Sequence, residues 1–247
     1  MITLLANGCS HTAGAEIEYS LQPKSYINAW PRWLADDMGW DWVNLAESGN
    51  SNEQIKRTTI EWLIENVELT NRYKPEELVV MIMWAGFNRF EAWNPKTKKF
   101  SSYTGISETG DCPEELKEYI KYKTILEDLA AIEYKNLFNV YLTARYLESL
   151  NIKYYFMNAS YNWITPIEFD QPGRTKDFVE KYKFLYDAYG DRRHRHLAFS
   201  SQEDRFWQYM RENKIPVSEH SKWEHWGVEG QKFWKENIKA WMARIDS

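Results

Sequence analysis

Short apolar runs alternate with segments of helical period along this chain, and each run gives way to a loop rich in Gly, Asn or Ser. Ile2 to Ala6 reads as a short buried strand, Trp42 to Leu45 as a second, Leu78 to Trp84 as a third and Lys153 to Met157 as another. Leu78 to Trp84 is almost unbroken in its apolarity, the pattern of a central strand buried on both faces of a parallel sheet. Between the strands, Pro31 is placed to open a helix through Asp37 that Gly39 stops. Asn52 is placed to cap a helix whose Ile55, Thr59, Trp62, Leu63 and Val67 share one face. Residues 114–150 read as two helices or one bent helix, with further helical stretches around 175–188 and 201–213. Phe233, Trp234, Ile238, Trp241, Met242 and Ile245 give a last helix its apolar stripe. Strands alternating with helices predict an α/β fold: a parallel sheet covered on both faces, in a three-layer α/β/α, flavodoxin-like arrangement.

Phe90 to Gly110 has loop composition, with Asn94-Pro95-Lys96-Thr97-Lys98-Lys99 followed by Ser101, Ser102, Tyr103, Thr104 and Gly105. It directly follows the third strand, so residues 90–135 are expected to form an insertion or lid. A second loop with Pro and Gly runs from Thr165 to Gly173. No repeat, low-complexity stretch or linker divides the chain, and residues 1–247 are expected to form a single domain.

Composition narrows the partners. Among 247 residues, 31 Lys and Arg face 36 Asp and Glu, a formal net charge of −5. That balance gives no general attraction to nucleic acid or to an anionic membrane, and neither is expected as a partner. Cys9 and Cys112 are far apart and form neither a metal spacing nor a disulfide framework, so a reducing compartment is the default. No basic region precedes Ile2 to Ala6, that run is too short for a signal peptide, and nothing approaches a membrane span. A cytoplasmic protein is expected. Thirteen Trp and 16 Tyr suggest either an aromatic-lined groove or large aromatics filling the core and an interface.

The candidate chemistry starts at Ser10. An apolar strand that stops at Gly8 and presents a Ser before Gly14 is how an α/β fold exposes a nucleophile at a strand's carboxyl end. Three more blocks come later: Asn44-Leu45-Ala46-Glu47-Ser48-Gly49-Asn50-Ser51-Asn52, then Trp84-Ala85-Gly86-Phe87-Asn88, then His225-Trp226-Gly227-Val228-Glu229-Gly230-Gln231. Together they resemble the SGNH (GDSL-like) hydrolase family, in particular the shorter forms common in tailed-phage genomes. The blocks run from residue 6 to about residue 234, and residues 90–150 and 160–218 match no part of the pattern. The resemblance implies the SGNH-hydrolase fold with a helical insertion, and a serine esterase that needs no cofactor and no metal. It implies Ser10 as nucleophile and His225 as general base, then acid. It implies an oxyanion hole from the backbone N–H groups of Ser10 and Gly49 and the side-chain amide of Asn88. The substrate class is an acyl ester or a carbohydrate O-acyl group, and a phage-encoded member would work in the host cytosol or the virion. The physical sense is independent of the family: acyl transfer needs nucleophile, base and oxyanion donors, and parallel strands bring their carboxyl ends to one edge.

Each residue also has a structural alternative. Ser10 can be a loop or helix-cap serine, Gly49 a turn glycine, Asn88 the cap of a helix after the strand, and His225 a surface-loop histidine. Cys9 stands where the family often has Asp and reads as a small buried residue. His11 reads as a local hydrogen-bonding group or a substrate contact, and His220 as a second candidate base without the Gly-containing helix start that follows His225.

One departure concerns the acid. The family usually places an Asp three residues before the histidine; here that position is Lys222, followed by Trp223. Glu224 and Glu219 are the orienting acids at hand. Either one of them serves, or a backbone carbonyl or distant acid orients His225, or the chain is a catalytically impaired SGNH-like binding or virion structural protein. Arg192-Arg193-His194-Arg195-His196 is a basic cluster fit for a solvated loop or an anion, and it is the one feature favouring a nucleotide-handling enzyme. No phosphate-binding glycine pattern accompanies it.

Overall fold

The apolar runs of the sequence lie side by side in one parallel sheet. A computed structural model describes residues 1–15, 17, 28–86, 89–104, 114–126, 129–159, 176–185, 210–218, 221 and 225–246. Its strands are β1 (Thr3–Gly8), β2 (Asp41–Asn44), β3 (Leu78–Trp84), β4 (Arg89–Asn94), β5 (Lys99–Thr104) and β6 (Lys153–Asn158). The main sheet has the order β2-β1-β3-β6. Leu5 of β1 lies opposite Val43 on one side and Val80 on the other, and Val80 lies opposite Tyr154. All of its pairings are parallel, as the apolar runs predict. Every residue of β1 and β3 is buried.

The described helices are α1 (Ser10–Ala13), α2 (Trp30–Met38), α3 (Asn52–Leu63), α4 (Glu114–Leu126), α5 (Leu129–Ser149), α6 (Lys176–Lys181) and α7 (Val228–Asp246). α2 packs with α7, and α3 packs with α5. Right-handed crossovers put the two pairs on opposite faces of the sheet, giving the expected three-layer, flavodoxin-like architecture. Trp30, Trp84, Trp226, Trp234, Tyr155 and Phe156 are among the largest fully buried side chains, so the core absorbs part of the aromatic surplus. Gly39 ends α2 in the left-handed conformation (φ +67°), its N–H donating to the carbonyls of Ala35 and Asp36.

Two expectations are corrected. Ser51, not Asn52, caps α3: its side chain accepts from the Gln54 N–H, and Asn52 is the first helical residue. The amide of Asn52 is occupied instead by Ala85, beyond β3. The stretch from Phe90 has loop composition, yet residues 89–104 form the antiparallel hairpin β4–β5, with Trp93 opposite Phe100 and Glu91 opposite Ser102. One side of the hairpin sits on α3, where Arg57 makes a forked ion pair with Glu91 (2.6 Å) and Glu53 accepts the Glu91 N–H (2.8 Å). Burial outweighs that hydrogen bond and raises the Glu53 carboxyl above its ordinary value. On the other side Phe90 meets Tyr103, Tyr119 of α4 and the ammonium of Lys123.

Cys112, the Thr165–Gly173 loop and the Arg192–His196 cluster lie outside the described residues. Among the described residues, no helix is long and apolar enough to cross a membrane.

Candidate active site

The carboxyl end of β1 is built around two small residues. A Cβ on Gly8 would lie 2.3 Å from Thr12 Oγ1 and 2.9 Å from the Met83 carbonyl oxygen. Only glycine therefore lets β1 turn into α1 while staying against β3. Cys9 takes the extended cap position of α1, and its carbonyl accepts from the Thr12 and Ala13 N–H groups. Ser10 is thus the first helical residue rather than the cap, and it is buried. Cys9 is buried too, with a free thiol, as expected of a small packed residue.

Side-chain amides fix this corner. Asn7 Nδ2 reaches the Ile55 carbonyl (3.1 Å) and the Thr58 and Thr59 hydroxyls (both 2.9 Å), while its Oδ1 accepts the Gly8 N–H (2.8 Å). Glu47 to Asn50 form a turn in which Gly49 has φ +86°, a conformation open to glycine at no cost. Asn50 Nδ2 donates to the Gly8 carbonyl (3.0 Å), and Asn44 Nδ2 donates to the Thr12 carbonyl (2.9 Å). Gly49 is exposed and tied through its neighbour to the strand that delivers Ser10.

Asn52 fastens the third block. Its Oδ1 accepts the Ala85 N–H (2.8 Å), and its Nδ2 donates to the Ala85 carbonyl (3.0 Å) and to Asn136 Oδ1 (2.7 Å). Phe87 and Asn88 lie outside the described residues, but both flanks of Asn88 are held. Ala85 is fixed by Asn52, and Arg89 Nη1 donates to the Asn50 carbonyl (3.3 Å). Strand β4 begins at the very next residue, so the alternative of a helix cap at Asn88 has no helix to cap.

His225 comes from far along the chain. Its carbonyl accepts the Ser218 N–H (2.8 Å), its own N–H donates to Ser221 Oγ (2.7 Å), and Trp226 bridges to Val217. Gln231, on the first turns of α7, accepts the Trp30 N–H (3.0 Å) and donates to the His11 carbonyl (3.3 Å). The outcome is that the rings of His225 and His11 lie 4.8 Å apart at 53°. His11 is the residue after Ser10, so both imidazoles sit beside the turn that carries the hydroxyl. His225 is buried, not the surface-loop histidine of the alternative reading. Burial holds the His11 imidazole well below its ordinary pKa, and the neighbouring His225 and Arg89 push it the same way.

Ser10, Gly49 and His225 thus gather at one end of the sheet. Asn88, Glu219, Glu224, Lys222, Trp223 and His220 lie outside the described residues. Sequence reasoning missed Arg89, and it gave Asn52 and Gln231, both inside the quoted blocks, no part in holding the site together. For Arg89 the available signal was a cationic residue directly after the Trp84–Asn88 block.

A sequence model described as a family of unknown function, DUF6071, matches residues 15–170. The chain belongs to that family. The DUF6071 match includes Gly49 and Asn88 and leaves Ser10 and His225 outside its limits. No curated protein sequence matches this DUF6071 chain. Among solved structures it is similar to an acetyl xylan esterase, Est2A, from the rumen bacterium Butyrivibrio proteoclasticus. That likeness has 12% identity and a TM-score of 0.50, over 98% of this chain and 64% of that one. TesA shares 15% identity at a TM-score of 0.49, over 98% of this chain and 99% of that one. The psychrotrophic esterase EstA of a Pseudoalteromonas species shares 14% at 0.48, over 98% and 97%. At 12% identity the Est2A likeness shows the fold alone.

Proposed function

We propose that this DUF6071 protein is a serine esterase of the SGNH type, a single domain in which residues 90–135 roof the site. The observation that carries the reading is the pairing of the His225 ring with that of His11, the residue next to Ser10, although the two rings are far apart in sequence. Ser10 Oγ attacks the ester carbonyl while His225 takes its proton. The negative charge that develops on the carbonyl oxygen meets the N–H groups of Ser10 and Gly49 and the amide of Asn88. Collapse of that intermediate breaks the ester C–O bond, and the departing alcohol takes the proton back from His225. Water, activated by the same imidazole, then frees the acid and restores Ser10. The neutral His11 ring packs beside the base without adding a second cation. Glu219, Glu224 or a backbone carbonyl orients the far nitrogen of His225.

A second reading keeps the scaffold and drops the chemistry, because Lys222 stands where the family's Asp would be. A fluorophosphonate probe separates the two. Labelling of the wild-type protein that disappears in Ser10→Ala supports the esterase. Folded wild-type protein that takes no label supports the binding protein.

A further inference from the structure

Two arginines face the α3 side of the hairpin region, and their surroundings differ. Arg57 is saturated: it holds Glu91 through a forked pair and Glu61 through a second contact of 2.7 Å, with Phe100 under its guanidinium. Arg89 has five N–H donors, and the structure gives it one partner, the Asn50 carbonyl at 3.3 Å. No described carboxylate pairs with it. The residue is only half-exposed, so its charge is partly withdrawn from water without a counter-ion. Its location adds to this. Asn50 adjoins Gly49 and holds the Gly8 carbonyl, so the guanidinium stands at the turn beside the proposed oxyanion donors. It is also close enough to His11 to disfavour a charge there.

We propose that Arg89 is a specificity residue that binds a carboxylate on the substrate, so that the preferred esters carry a negative charge a few bonds from the scissile carbonyl. The proposal rests on the esterase reading of the same site. A planar guanidinium with free donors matches a carboxylate in a two-pronged geometry that an ammonium cannot reproduce. The chain's net charge of −5 gives no general pull on anions, so a preference for them has to come from a local group such as this one.

The test compares two esters of similar length, 4-nitrophenyl hemisuccinate and 4-nitrophenyl butyrate, on wild type, Arg89→Gln and Arg89→Lys. In Arg89→Gln, kcat/KM for the hemisuccinate is expected to fall roughly 10- to 100-fold further than for the butyrate, mostly in KM. Arg89→Lys is expected to recover part of that selectivity. Equal losses on both esters would overturn the proposal and make Arg89 a support for the Asn50 turn. Binding of monomethyl glutarate, followed by calorimetry on folded wild type and Arg89→Gln, needs no turnover. Binding that is lost in the variant, on a protein that Ser10 labelling finds inactive, sustains the anion site and sinks the esterase reading. Binding that survives the variant sinks the anion site.

Discussion

The two ends of the candidate site are held by different kinds of structure. The Ser10 and Gly49 side rests on the buried amides of Asn7, Asn50 and Asn52 and the half-buried amide of Asn44, each bonded to backbone across elements. The His225 side is held through backbone instead: the His225 carbonyl and N–H bond Ser218 and Ser221, Trp226 bridges to Val217, and the Gln231 contacts tie α7 to α1 and α2. The contrast suits the proposed division of labour. Oxyanion donors act best when they are fixed before charge develops, and a base has to be carried to within reach of the proton it takes.

His225→Ala tests the His225 side and should have the largest effect. By analogy with other serine hydrolases, kcat for an ester is expected to drop about 10⁶-fold, with the unfolding midpoint little changed. A loss under tenfold in steady-state kinetics would remove His225 from the chemistry. On the fixed side, Asn7→Ala strips donors and acceptors from a fully buried corner. Urea unfolding should show a loss of about 2–4 kcal/mol. A change below about 0.5 kcal/mol would mean that this amide does not fasten the corner.

The smallest effect is the pH response of the contact between the two sides. The folded protein keeps His11 neutral, with a pKa below the ordinary 6.5, while the unfolded chain takes up the proton near that value. The unfolded state therefore binds more protons below about pH 6.5, and stability falls as pH falls from there toward the folded pKa. The slope from this group is at most about 1.4 kcal/mol per pH unit. Urea titrations from neutral pH down into the mildly acidic range should show it, and His11→Phe should flatten it.

The central strands were legible because Ile2 to Ala6 and Leu78 to Trp84 can only be buried on both faces, and β1 and β3 lie where those runs place them. The cap of α3 was missed by one position because Ser51 and Asn52 are both cap formers, and a long-range partner, Ala85, decides between them. The hairpin was missed for a related reason. Polar Arg89, Glu91 and Ser102 look like loop residues until Asn50, Arg57 and Ser51 are placed against them. In the site, glycines and the serine were visible because they mark local backbone geometry. Arg89 was not, since its environment is made by a turn at a separation of 39 residues.

Gln231 joins His11 across 220 positions of chain. During synthesis, β1 and its neighbour β3 are both made early, while residue 225 is delivered only near the end of the chain. Premature release before α7 would leave the apolar flank of α2 uncovered and the His225 segment without the Gln231 contacts to Trp30 and His11, so a truncated product would be prone to clump.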